Sequence, residues 1–218
     1  MKKVLVILLV VFLLGSVAYA KSDSSKGKGK DKPKTEAAEI EGKSTVGGSE
    51  MKAVKKAKNK EELKKMKKEK EKELDEEAAK MGGKKEKVYK KQNRVRAAVH
   101  SLLAMEGMAG GIGPEVSKIA REFNNSCKKT TDAEVKIEER SKMREIFMGG
   151  DEKAAEEIEV EVQKNRTLLE RLKDLRNQAP SGDVKVVMDE QIQVITEEND
   201  RLKELAEKEK KLRGLFNW

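Results

Sequence analysis

Cysteine, histidine and tryptophan each occur once in these 218 residues, and proline three times. One cysteine, Cys127, excludes an intrachain disulfide in any redox compartment. It follows Phe123 by four residues on the face shared by Val116, Ile119 and Ala120, which reads as a small buried hydrophobe, with an interchain disulfide as the alternative. One histidine, His100, cannot supply a zinc set, nor the paired Glu-x-x-His motifs of a four-helix di-metal site. Its neighbour Ser101 points about 100° away from it on a helix, so the two do not make a nucleophile and base. No loop has EF-hand spacing. The glycine-rich run 107–113 follows a helical pattern and lacks the Gly-Lys-Ser/Thr of a phosphate loop, so it reads as a helix-to-helix turn. No cofactor, metal or catalytic residue is expected. Aromatics are scarce too, at 3%, which argues against a conventional thick core.

What is present is charge, at 41% of residues, in a composition rich in Lys, Glu, Ala and Leu. That mixture belongs to long helices with narrow apolar seams. The first twenty residues differ from the rest. Lys2 and Lys3 precede an apolar run over residues 4–14, and Ala18, Tyr19 and Ala20 form a small-x-small cleavage pattern. This predicts a signal peptide removed after Ala20, with a retained anchor as the alternative reading, and hence export to the envelope or beyond.

The net charge of +9 is divided unevenly. Residues 21–100 carry 26 basic against 15 acidic side chains, while residues 101–218 carry 21 against 25. Residues 21–49 have hardly an apolar side chain and are expected to be a disordered linker. Residues 50–87 predict a charged helix, interrupted at Gly82-Gly83, on which Lys52, Lys56, Lys60, Lys64, Lys68 and Lys72 recur every four residues. Glu61–Lys65, Lys65–Glu69 and Lys67–Glu71 are expected to offset the repulsion along that stripe. Its plain reading is a solvated spacer on a thin seam of Leu63, Met66, Leu74, Ala78 and Met81. Its functional reading is a contact for anionic lipid, a surface polymer or the backbone of extracellular nucleic acid. No aromatic residues are interleaved for base stacking, so sequence-specific nucleic-acid recognition is not expected.

Residues 88–218 predict a helical bundle with helices at about 88–107, 114–148, 152–178 and 184–213. Pro114 sits in a first turn, where its missing N–H costs nothing. Gly149-Gly150-Asp151 and the 179–183 turn read as stop, turn and cap, and short turns make consecutive helices antiparallel. Thr131 and Glu134 fit a capping box and predict a kink near 130–132. Asn165 and Asn199 fall at seam positions, where a polar residue commonly fixes register. Asn165-Arg166-Thr167 and Asn124-Asn125-Ser126 match the glycosylation pattern, a signal weak enough to arise by chance. The apolar stretch 97–113 and the tip Leu215, Phe216 and Trp218, which follows Lys210, Lys211 and Arg213, can serve as membrane-interface or partner contacts; packing inside the bundle or across a dimer is the plain reading of both.

The segments Gln92-Asn93-Arg94-Val95-Arg96-Ala97-Ala98-Val99-His100, Gly110-Gly111-Ile112-Gly113-Pro114 and Gly149-Gly150-Asp151 resemble uncharacterised archaeal exported proteins. Those proteins have a signal peptide and a helical body ending in a Gly/Trp-containing tip. The resemblance covers about residues 90–218, implies an archaeal envelope context and carries over no activity and no functional residue.

The sequence thus predicts an all-α protein, a long antiparallel coiled-coil-like hairpin or bundle behind a Lys-rich, disordered-to-helical N-terminal arm. Its expected role is that of a non-enzymatic exported scaffold or protein-interaction module, with a protein partner or a second copy meeting the helical seams. The alternative is a polyanion or membrane-surface binder acting through the Lys-rich helix.

Overall fold

The computed structural model describes residues 54–216. The expected signal segment and the expected 21–49 linker, together with Lys52 and Trp218, lie outside the described residues. The fold is all-α.

Six helices follow one another: α1 (Lys60–Met81), α2 (Gly83–Ala104), α3 (Gly113–Glu139), α4 (Lys142–Met148), α5 (Glu152–Asn177) and α6 (Gly182–Lys211). Two short 3-10 turns, Met105–Gly107 and Gly110–Ile112, join α2 to α3. Side chains cap four of the helices: Asn59 accepts from the Glu62 N–H, Ser141 from Arg144, Asp151 from Ala154 and Ser181 from Val184. Each satisfies one of the backbone donors that a helix start leaves without a partner. Ser181→Ala is therefore expected to cost about 1 kcal/mol in urea unfolding; a loss below about 0.3 kcal/mol would show that water replaces the hydroxyl.

The long helices close a four-helix bundle in the order α2, α3, α5, α6 and back to α2. Cross-helix pairs fix the directions. Lys129–Glu161 and Lys136–Glu157 run α3 antiparallel to α5, while Glu134–Arg201 and Arg140–Glu209 run α3 parallel to α6. At 1.5 Å per residue the 30 residues of α6 span about 45 Å.

α1 lies against the outside of α2 in the same compact unit. The thin seam is enough to hold it, because Leu63, Leu74 and Ala78 are fully covered. The charged helix is shorter than 50–87: it starts at Lys60, and before it, outside any helix, Ala57 donates its N–H to the Ala104 carbonyl at 2.8 Å. The glycine break divides α1 from α2 at Gly82, whose φ of 65° suits glycine, so the second helix begins at Gly83 rather than near 88.

Two other expectations are corrected. The helix expected over 114–148 breaks after Glu139, where Arg140 turns extended and Ser141 caps the short α4. The helix is not interrupted at 130–132. The Thr130 hydroxyl donates to the Ser126 and Cys127 carbonyls and that of Thr131 to Cys127, so both are satisfied inside a continuous helix.

The core comes in two parts. The larger gathers Leu102, Val116, Ile119, Phe123, Leu172, Met188 and their neighbours towards the end where α2 turns into α3. The smaller holds Ala133, Ile137, Ala155, Ile158, Val162, Leu202 and Ala206 towards the other end. Between them each helix contributes polar groups.

Candidate functional site

The layer between the two cores is built around Arg201. Its guanidinium grips Glu134 with two bonds, at 3.0 and 2.6 Å, and Glu198 with two more, at 2.9 and 2.7 Å. Gln92 donates to both carboxylates, at 3.1 and 2.8 Å, and Lys91 reaches Glu134 at 3.3 Å. Burial alone would raise the Glu134 carboxyl, but Arg201 beside it holds it below the ordinary carboxylate range. Glu198 is raised, first by burial and further by the charge of Glu134, which together outweigh its bonds to Arg201. Burial opposes the charge on Arg201 as well, yet the two carboxylates raise its affinity for the proton. Asn199 donates to the Val162 carbonyl at 3.3 Å, and Asn165 is buried on the facing helix. These groups tie α2, α3 and α6 in one register and α5 to α6, as seam polar residues do in coiled coils. The sequence reading singled out Asn165 and Asn199 but missed Gln92, Glu134, Glu198 and Arg201. The signal that could have found them is charge and amide at seam spacing, seven and eleven residues after Phe123 for Thr130 and Glu134.

The residues considered for chemistry are spent otherwise. His100 is half-buried, its Nδ1 has no hydrogen-bond partner, and burial, with Lys70 adding to it, lowers its pKa. The Ser101 hydroxyl donates to the Ala97 carbonyl at 3.0 Å. Cys127 packs against the larger core, where burial pushes its thiol up to about 12, far from a reactive thiolate at neutral pH. Among the described residues, no group of three or more His, Cys, Asp or Glu side chains is placed to hold a metal ion. An open groove of about 540 Å³ between α3 and α5 has Val160 on its wall, but Lys129–Glu161 and Lys136–Glu157 pair across it.

The lysine stripe is only partly assembled. Lys56 lies before α1 and bonds Glu106 at 2.8 Å, and Lys60 reaches Asp183 at 3.2 Å. Lys72 stands 3.9 Å from Glu76. Lys64 and Lys68 are exposed and, with Lys65 and Lys67, have no ion pair among the described residues. The expected Glu61–Lys65, Lys65–Glu69 and Lys67–Glu71 pairs are not formed; α1 is bridged instead by Lys70–Glu73 and Lys72–Glu76.

The tip is more developed than its sequence suggests. Residues 212–216 fold back along the end of α4: Leu215 donates its N–H to Ile146 at 3.0 Å, Phe216 to Phe147 at 3.2 Å, and Gly150 to Leu212 at 3.0 Å. The Phe147 and Phe216 rings stack at 5.5 Å. Beneath them Arg140 and Glu209, both almost fully covered, pair at 2.7 Å, and the Asp151 N–H donates to the same carboxylate. Leu215 and Phe216 are exposed, and α4 brings Met143, Ile146 and Met148 alongside. Five of the eight exposed large apolar side chains among the described residues thus lie on α4 and the returning tail. The 97–113 stretch, by contrast, is mostly covered, with Ala97, Leu102, Met105 and Ala109 inside.

No described helix is long and apolar enough to cross a membrane. Compared with protein-family models, curated proteins and solved structures, the chain matches none.

Proposed function

We propose that this chain is a non-enzymatic, exported helical module of the cell envelope that works by surface contact, its bundle serving as a rigid scaffold. One observation carries the reading: the buried carboxylates Glu134, Glu161 and Glu209 are each consumed in an ion pair to another part of the bundle, while five of the eight exposed large apolar side chains among the described residues gather at one end. Such a division suits a rod that is held by its end and offers its flanks to a partner. The signal-like residues 1–20 support the export. The test is the intact mass of the protein recovered from the extracytoplasmic fraction of an expressing cell. A chain starting at Lys21 is expected; a chain retaining residues 1–20 in the cytoplasm overturns the reading.

A second reading rests on the unpaired lysines of α1. Lys64, Lys65, Lys67 and Lys68 offer a polyanion a compact row of cations. Binding to a sulfated or phosphorylated polymer is then expected to weaken by about tenfold or more between 50 and 200 mM salt. The quadruple lysine-to-glutamine variant should bind weakly, with a flatter salt slope. Equal binding by the variant rejects α1 as the contact.

A further inference from the structure

We propose that the end formed by α4 and the returning tail is an interfacial docking site for an anionic lipid surface. The inference rests on the reading of the chain as an exported module held by its end, and names what holds it.

The apolar side chains there are not a gap in the core. Phe216 is 75% exposed, Met143 62%, Leu215 59%, Met148 57% and Ile146 53%, although the backbone beneath them is fixed. Fixing comes from the 146–215 and 147–216 contacts already described and from Gly149, which pairs with Arg213 as an isolated bridge. The helix α4 buries none of its seven residues, so within this fold it does nothing for the core. A short helix held rigidly with its apolar side chains outward is costly in water unless they are covered elsewhere.

Charge selects the occupant. Residues 142–148 and 208–216 carry six cations, Lys142, Arg144, Lys208, Lys210, Lys211 and Arg213, against two carboxylates, Glu145 and Glu209. Glu209 is buried against Arg140, and Glu145 stands 3.9 Å from the same guanidinium. Lys210 is taken by Glu159, while the other five cations are exposed and have no ion pair among the described residues. Large apolar groups interleaved along both segments with exposed cations match an anionic bilayer interface, whose acyl boundary takes the former and whose headgroups take the latter. A second copy of the same end would bring those cations against each other, which disfavours a symmetric dimer there. In sequence the tail runs on to Trp218, a residue type that favours the headgroup level.

The test uses the chain 21–218 with vesicles of phosphatidylcholine alone and with about a third phosphatidylglycerol. Trp218 is the single tryptophan, so its emission reports on this end alone. Binding to the anionic vesicles is expected, with a blue shift of that emission and quenching by brominated acyl chains. Ile146→Ser with Phe216→Ser should weaken binding by about tenfold or more, and Lys211→Glu with Arg213→Glu comparably, while the α1 lysine-to-glutamine quadruple variant should bind as the parent does. All four tip positions are exposed, and circular dichroism checks that the helices persist. Three results overturn the proposal: vesicle binding lost only in the α1 variant, vesicle binding without change at Trp218, or no vesicle binding while the chain self-associates. Failure of export alone leaves vesicle binding by the purified chain intact, so the two ideas fall separately.

Discussion

Arg201→Met is expected to destabilise the fold by roughly 3–5 kcal/mol at neutral pH, because it leaves a buried carboxylate without its counter-ion. The side chain of Glu134 is 1% exposed. With Arg201 gone it keeps a bond from Gln92 and a 3.3 Å contact with Lys91, whose own side chain is well exposed. Neither matches a two-bond guanidinium grip in desolvated surroundings. Since Arg201 is itself partly open to solvent, the lower end of the range is the better expectation.

The pH dependence between pH 7 and 5 should steepen. In the native protein Glu134 is held below its ordinary value, so its contribution is complete above the unfolded carboxylate range, near pH 4.3, and fades as pH falls through the depressed native value. Glu198 works the other way. Its native value is raised, so it favours the fold at low pH and loses that contribution as pH rises through the raised value. Glu134 adds no slope above the unfolded range, so between pH 7 and 5 the native protein should show only the shallow gain that Glu198 gives as pH falls. Without Arg201, burial dominates at Glu134 as well, and both carboxyls lie above their unfolded values. The variant should therefore gain stability as pH falls from 7 to 5, and Glu134→Gln added to Arg201→Met should restore much of the loss at pH 7. Urea unfolding of the three proteins at both pH values decides it. A loss under about 1 kcal/mol with an unchanged pH slope would mean that Lys91 and water take over the role of Arg201.

How far the sequence led depends on the range of each interaction. Helix identity and most boundaries were legible because caps and glycine turns are local: Ser181, Asp151 and Pro114 act on the turn they begin. The docking of α1 was harder to see, since Leu63, Leu74 and Ala78 are a sparse seam among lysines, and a sparse seam reads as solvated until its partner α2 is known. The break at Arg140 escaped because its cause lies 69 residues away, in the Glu209 carboxylate that draws the guanidinium inward. The polar layer was half legible, as two asparagines, because a buried ion pair looks like any surface charge in a sequence that is 41% charged. At the tip, Leu215 and Phe216 stood out by composition, whereas α4 became their neighbour only through the returning tail.

That return depends on close backbone approach, and glycine substitutions there should have the other large effect. A β-carbon on Gly150 would fall inside the carbonyl oxygen of Glu209, and one on Gly214 would press on the backbone of Phe147, Met148 and Gly149. These neighbours are main chain, which cannot swing aside as a flexible side chain can. Gly150→Ala must push the last turn of α6 away from the α4–α5 connection. It thereby separates the Asp151 N–H and Arg140 from Glu209 and leaves a buried carboxylate and guanidinium short of partners. A loss of roughly 3 kcal/mol or more in global stability is expected from the combined overpacking and broken pair. Gly214→Ala acts further out, beyond that pair. It should release the tail locally, with faster hydrogen exchange at the Leu215 and Phe216 amides and little change in the urea midpoint. Gly111→Ala is the control: no atom lies within 4 Å of its added carbon and its φ is not positive, so it should be neutral or stabilising by a few tenths of a kcal/mol. If Gly150→Ala unfolds within about 0.5 kcal/mol of the parent, the backbone of the tail is not closely seated against α4 and α6. The fixed backbone under the exposed Phe216 and Ile146 would then be lost, and with it the rigid platform on which lipid docking depends.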